Sequence, residues 1–160
     1  MFSFFKREKA ECVVINDSSN YCYVDGVPYE VMAYHNFDFD KNFFWDRHKR
    51  EFSFGVQCTG SGYHIGRPKI CVSTEKRARQ IFDFLDKLFY AVLNLPQNIR
   101  KGGFKHLLIC VKNPVVALYV NELLNSTDDL MTTQMFGWYQ KYRERVHVIP
   151  YSVCGAIEPS

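Results

Sequence analysis

A continuous apolar stripe in the middle of the chain is the feature that most limits the folds open to it. Its members recur at spacings of three and four residues, which places them on one side of an α-helix. They are Ala78, Ile81, Phe82, Leu85, Leu88, Phe89, Val92 and Leu95. Ser73 or Thr74 can cap the start, and Pro96 cannot continue a helix. The sequence therefore predicts a long amphipathic helix over residues 74–95, with its apolar side in a core.

Strand-like segments precede this helix. Two β-prone runs, residues 21–24 and 27–31, flank Asp25 and Gly26. Asp-Gly between such runs indicates a type I′ hairpin, because both central residues of that turn need a positive φ. Pro28 has no backbone N–H to donate and indicates an edge strand. The N-terminal half is predicted to form β-hairpins in a meander.

Helix and strand alternate in the second half. An apolar run predicts a buried strand over residues 104–111, directly after a double glycine. Asn113 as cap and Pro114 in the first helical position predict a second helix over residues 114–125. A final strand is predicted over residues 145–153. These elements together predict a mixed α and β fold.

Length and composition narrow the class of protein. A chain of 160 residues with 47% apolar residues fits one domain, residues 1–160, and argues against disorder. The longest apolar runs, residues 107–111 and 115–120, are too short to cross a bilayer. At the N-terminus the charges follow the apolar residues, unlike the order in a secretory signal. Six scattered cysteines without a C-x-x-C pair favour reduced, buried thiols over disulfides or zinc. We expect no membrane partner and a location in the reducing cytoplasm.

The order of these elements resembles the ribonuclease H-like fold, in which a three-stranded meander precedes alternating helices and parallel strands. Activity in that family depends on acids from the first strand, the first long helix and the end of the next strand, which hold two divalent metals. Asp17 or Asp25 would supply the first acid and Glu75 the second. The next strand ends instead in Lys112 and Asn113. The resemblance therefore implies a mixed sheet without a complete set of catalytic acids, and we predict no catalytic residue, no metal ligand and no cofactor.

Two further patterns are better explained without a ligand. The glycine-rich residues 60–66 lead into strand-like residues and not into a helix, so they indicate a hairpin turn more than a phosphate loop. Acidic and histidine side chains within residues 35–48 have an irregular spacing that matches no common metal motif. This second segment is interpreted as a solvated loop.

The clearest functional pattern is a set of basic clusters near aromatic residues, on a chain with a net charge of +3. Cations can contact phosphates while rings stack on bases. The candidate nucleic-acid-binding residues are Arg47, Lys49, Arg50, Arg67, Lys69, Lys76, Arg77, Arg79, Lys101 and Lys105. Lys76, Arg77 and Arg79 are at the start of the long helix, where the helix dipole disfavours cations and favours anions. Cations there stabilise the fold little, and together with the free amides they would suit a phosphate. The competing interpretation is an ordinary solvated surface.

These observations predict a non-enzymatic nucleic-acid-binding accessory protein with DNA or RNA as its partner. The chain is short, is rich in aromatic residues and has no catalytic motif. In these respects it is similar to accessory proteins of large bacteriophages. An alternative is an interaction module, such as an inhibitor or adaptor of a host protein complex, anchored by aromatic side chains. Its candidate anchors are Phe43, Phe44, Trp45, Phe136 and Trp138. A metal-dependent nuclease remains the third hypothesis.

Overall fold

The computed structural model describes residues 9–31, 43–53, 56–58, 63–66, 69–125 and 136–150. The strands are β1 (Ala10–Asn16), β2 (Tyr21–Val24), β3 (Val27–Glu30), β4 (Phe44–Asp46), β5 (Glu51–Ser53), β6 (Val56–Cys58), β7 (Tyr63–Gly66), β8 (Lys69–Cys71), β9 (Phe104–Val111) and β10 (Val146–Pro150). The helices are α1 (Glu75–Asn94), α2 (Gln97–Arg100), α3 (Pro114–Leu124) and α4 (Gly137–Lys141), and α4 precedes a 3-10 turn at Arg143–Arg145. Within these ranges, no helix combines the length and the apolar character needed to cross a membrane.

A five-stranded mixed sheet forms the centre of the fold, in the order β10-β9-β1-β2-β3. The first three strands of the chain pair antiparallel, whereas β9 lies parallel to both β1 and β10. Between β3 and α1 the chain adds a three-stranded antiparallel sheet, β4-β5-β8, and the hairpin β6-β7. The predicted mixture of helices with a mixed sheet is therefore confirmed.

The core lies where α1 and α3 pack against the central sheet. Val13 and Ile15 of β1 and Leu107 and Ile109 of β9 are fully buried, in one cluster with the apolar side of α1. Leu85, in the middle of that stripe, is also fully buried. Burying a side chain of this size stabilises a fold by roughly 1.5–3 kcal/mol. Covering the sheet with α1 is thus a main source of stability.

The predicted helices and the strand over residues 104–111 are confirmed, but the prediction that this strand is fully buried is wrong, since Lys105 and His106 are exposed. The first helix begins after Thr74, whose Oγ1 accepts a hydrogen bond of 3.1 Å from the Arg77 backbone N–H. The second begins after Asn113, whose Oδ1 accepts from the Val115 N–H at 2.8 Å. The strand over residues 104–111 is observed with the same bounds. For the final strand the structure shows β10, and residues 151–153 lie outside the described part.

The Asp-Gly hairpin is also confirmed. Asp25 and Gly26 have φ values of 49° and 85°, as a turn with two positive φ angles requires. The Asp25 carboxylate accepts hydrogen bonds from the backbone N–H groups of Glu11 and Cys12, which joins the turn to β1. Pro28 lies on β3, at the edge of the central sheet. The Asp25-Gly26 pair was thus sufficient to predict the hairpin, and Pro28 was sufficient to predict the edge strand.

The cysteines follow the prediction only in part. Cys22 and Cys110 are buried and Cys12 is half-buried, but the expectation of a buried thiol is wrong for Cys71, which is exposed. Side chains alternate along a strand, so the buried Ile70 places its neighbour on the outer side of β8. The position of Cys71 in an apolar run of the sequence therefore did not show that its side chain is buried.

We expect Asn113→Ala to lower the free energy of unfolding by about 1 kcal/mol, because the substitution removes the cap that satisfies amides at the start of α3. Asn113→Asp keeps an oxygen acceptor and is the matched control. Chemical denaturation of the three proteins measures the difference. Equal losses in both variants would show that capping is not the cause.

Candidate nucleic-acid interface and adjoining cleft

A tight turn between β4 and β5 carries three of the predicted basic residues, Arg47, Lys49 and Arg50. Asp46 holds this turn, since its Oδ1 accepts hydrogen bonds from the backbone N–H groups of His48 at 3.0 Å and Lys49 at 3.1 Å. The hydrogen bond from the Lys49 amide is the main cause that lowers the pKa of Asp46, and the His48 amide adds to it. An acidic side chain thus organises a basic turn.

A backbone hydrogen bond joins this turn to the start of α1. The Val72 N–H donates to the Arg50 carbonyl at 2.9 Å, two residues before the Thr74 cap. The first turns of α1 carry Lys76 and Arg79, both exposed, and the half-buried Arg77. Two clusters that are separate in the sequence therefore lie side by side. We call them the α1 basic surface, which consists of Arg47, Lys49, Arg50, Lys76, Arg77 and Arg79.

An aromatic side chain supports this surface, and a second one is exposed on the other side of the same strand. The guanidinium carbon of Arg79 lies 3.8 Å from the ring centroid of Phe43, which stacks in turn on the buried Phe52. This contact holds the exposed arginine against a fixed ring. Phe44, the next residue, is 58% exposed and lies on the other side of β4 from Phe43, because side chains alternate along a strand. The β4–β5–β8 sheet pairs it with Ser53, which pairs with the exposed Lys69.

The charge of the chain is concentrated here. Residues 43–53 and 69–83 together carry seven Lys or Arg and four Asp or Glu side chains. Their net charge of +3 equals that of the whole chain, so the remaining residues are neutral overall. The acidic members include Asp46, which is used in the turn, and Glu75, in the first turn of α1. The basic surface is therefore a local excess and not a uniform property of the protein.

The structure does not bring all ten predicted residues together. Lys101 and Lys105 follow the end of α1, a helix of 20 residues, so roughly 30 Å of helix separates them from its start. Lys105 also forms a salt bridge of 3.3 Å with Glu11. Arg67 lies outside the described residues. The predicted set is thus divided between two ends of the molecule.

Most of the predicted aromatic anchors are used inside the fold. Phe136 is fully buried, which contradicts its role as an interface anchor. Trp138 donates a hydrogen bond of 2.8 Å from its Nε1 to the Arg100 carbonyl. Phe43 and Trp45 pack partly buried against the core, and of these five residues Phe44 alone counts as exposed. Sequence composition could not separate core aromatics from surface aromatics.

A cleft of about 600 Å³ lies at the carboxyl ends of the parallel strands β1 and β9. Ligands commonly bind at this edge of parallel sheets. Its polar lining consists of Asp17, Gln80, Asp83, Lys87, Lys112 and Asn113. No pattern in the sequence indicated Asp83 and Lys87 as site residues. They lie one helical turn apart on α1, and only the packing of α1 on the sheet brings them to Asp17.

A lysine occupies the inner part of this cleft. Lys87 Nζ donates hydrogen bonds to the backbone carbonyls of Asn16 and Ser19. Burial lowers the pKa of Lys87, and the nearby Asp17 opposes that shift. The two carbonyl contacts stabilise the ammonium form, so we assign a charged lysine here. Asp17 is itself held, because its Oδ2 accepts from the Lys112 backbone N–H at 2.8 Å.

The acids suggested for a nuclease are not assembled as expected. Asp25 contacts the beginning of β1, at the opposite end from Asp17. Glu75 does not line the cleft, and Asp83 does. Burial raises the pKa of Asp83, with Arg79 opposing. Across the described ranges, no group of three His, Cys, Asp or Glu side chains could hold a metal ion.

No protein-family model matches this chain, and neither a curated protein nor a solved structure matches it. Its function therefore has to be inferred from the geometry and charge of its own residues.

The order of the basic turn should depend on pH. Because the folded state lowers the pKa of Asp46 below its ordinary 3.8, the carboxylate stabilises the turn above that pH and loses its effect as pH falls through the lowered value. We expect the amide proton shifts of His48 and Lys49 to titrate together, with a midpoint below 3.8. NMR measures both midpoints. A midpoint at or above the ordinary value would contradict the assignment.

Proposed function

We propose that this protein binds nucleic acid without cleaving it, and that the α1 basic surface contacts the phosphates. The single observation that carries the proposal is the hydrogen bond from Val72 to Arg50, which places the basic turn beside the start of α1. Cations supported by a hairpin and a helix keep their spacing. A group of cations on two joined elements suits a polyanion, whose bound counterions are released when the protein replaces them.

The neighbouring ring favours single-stranded nucleic acid as the partner. Phe44 is exposed on the outer side of β4, three residues before Arg47, and an exposed ring can stack on an unpaired base of any type. Arg79 adds a planar cation that already lies on an aromatic face. In a duplex the bases are stacked on each other, so this ring would find no base to contact. DNA and RNA single strands share the chemistry that these groups recognise.

The order of the strands supports a ribonuclease H-like arrangement within this proposal. Three antiparallel strands, a long helix, a parallel strand, a helix and a further parallel strand follow one another, with β9 and β10 added beside β1. The segment with β4 to β8 is an insertion relative to that arrangement. It supplies the basic turn, so the proposed binding surface combines the insertion with α1.

The cleft supports binding without cleavage. Its acids, Asp17 and Asp83, share the space with the ammonium of Lys87. This ammonium contacts the Asn16 and Ser19 carbonyls, which are oxygen atoms of the kind that a divalent cation prefers. Lys112 adds a second cation at the end of β9. Two lysines would repel the metal pair on which a nuclease of this arrangement depends.

The structure offers less support for the interaction module. A protein interface needs a central group of aromatic or arginine anchors in a well-packed patch, and Phe44 alone among the five candidates is exposed. The local net charge of +3 instead matches a polyanion. A role as an accessory protein of a large bacteriophage remains part of the proposal.

We expect the triple variant Lys76→Gln, Arg77→Gln and Arg79→Gln to weaken binding to a labelled single-stranded oligonucleotide at least tenfold. The salt dependence should also fall, since each lost phosphate contact lowers the slope by about 1. The matched control is Arg100→Gln, Lys101→Gln and Lys105→Gln, three cations at the other end of α1. Fluorescence anisotropy at two salt concentrations measures both effects.

Two results would contradict the proposal. Equal losses in the two triple variants would mean that binding follows total charge and not the α1 basic surface. Cleavage of the oligonucleotide in Mg²⁺ or Mn²⁺, abolished by Asp17→Asn and Asp83→Asn, would show a nuclease and disprove the non-enzymatic part.

A further inference from the structure

Two histidines lie side by side on the central sheet, away from the cleft and the α1 basic surface. His106 is on β9 and His147 on the neighbouring parallel strand β10, and both are exposed. Their ring centroids are 5.8 Å apart, with 43° between the ring planes. His147 pairs in register with Leu108, two residues after His106, so both imidazoles lie on the same side of the sheet. The opposite side of β9 carries core residues such as Leu107.

We propose that this pair binds one transition-metal ion through a nitrogen of each ring. Metal–nitrogen bonds of about 2.0–2.1 Å put each ring centre roughly 3.2 Å from the ion, so two rings on one tetrahedral ion have centres about 5.2 Å apart. The same bonds allow roughly 6.4 Å in a linear arrangement. The observed 5.8 Å lies between these limits. Small rotations of exposed side chains complete the geometry without moving the strands.

The site has two protein ligands and open positions. Cys12 is the register partner of His106 and would be the nearest candidate for a third. Burial is the main cause that raises the pKa of the Cys12 thiol, and the carboxylates of Asp25 and Glu11 add to it. A protonated thiol is a poor metal ligand. Water would fill the remaining positions.

The chemistry of the ligands selects the class of ion. Imidazole nitrogens suit Cu²⁺, Ni²⁺ and Zn²⁺, whereas Mg²⁺ and Ca²⁺ prefer oxygen ligands. With only two side chains, the site would bind more weakly than a structural zinc centre, in which four protein ligands surround the ion. The proposal does not depend on nucleic-acid binding, because it uses a different part of the sheet.

Isothermal titration calorimetry of the full chain with NiCl₂ and ZnCl₂ tests the site. MgCl₂ is the control, because Mg²⁺ prefers oxygen ligands and should not bind to the two imidazoles. We expect one Ni²⁺ per chain. His106→Ala and His147→Ala should each weaken Ni²⁺ binding at least tenfold. The matched control is His48→Ala, which removes an imidazole from the basic turn and should leave Ni²⁺ binding unchanged.

Absence of Ni²⁺ binding, or equal Ni²⁺ binding by the wild type and both sheet variants, would overturn the proposal. A second measurement uses the unaltered chain, so it does not depend on the folding of a variant. Substoichiometric Ni²⁺ should broaden the ring NMR signals of His106 and His147 first. Earlier broadening at His48 or elsewhere would place the ion at another site and overturn the proposal.

Discussion

Parallel pairing between β1 and β9 holds together parts of the chain that are far apart in the sequence. The pairing extends along the whole of β1, from Ala10 opposite Phe104 to Asn16 opposite Cys110. Parallel strands cannot be joined by a tight turn, so the chain needs a long crossover between them. The crossover includes α1, whose apolar stripe then covers the sheet. Strand order, helix position and core thus follow from this one contact.

The same pairing determines where the charged groups lie. Since α1 leads back to the beginning of β9, its middle turns, from Gln80 to Lys87, line the cleft at the carboxyl ends of β1 and β9. The first turns of α1 precede these residues, and the inserted β4–β5 turn is joined to the start of the helix by the hydrogen bond between Val72 and Arg50. An anion that approaches the start of α1 meets cations from these two elements. The proposed function therefore depends on the architecture as well as on composition.

Local signals in the sequence were enough to predict much of the fold. The stripe around Leu85, the Asp25-Gly26 pair and the Asn113-Pro114 start each specify a structure within a few neighbouring residues. Contacts between distant residues could not be predicted in this way. Nothing in the sequence around Lys87 shows that it reaches the Asn16 carbonyl, because that contact needs the packed sheet and helix.

The candidate site was predictable to a similar degree. The basic residues were visible as clusters, but their division between the two ends of α1 required the structure. Lys101 and Lys105 resemble Lys76 and Arg77 in sequence context, and only the length of the helix separates them. Phe136 and Phe44 are likewise both aromatic, yet one is in the core and the other is exposed. Burial depends on which side of an element faces the sheet, and that is decided by tertiary packing.

The most direct test of the central claim is an NMR titration of the isotope-labelled protein with a short single-stranded oligonucleotide. We expect the largest shift changes on residues 47–50 and 76–79 and on Phe44, with small changes around Lys101 and Lys105. Changes concentrated at that second end of the molecule, or no changes at low salt, would contradict it.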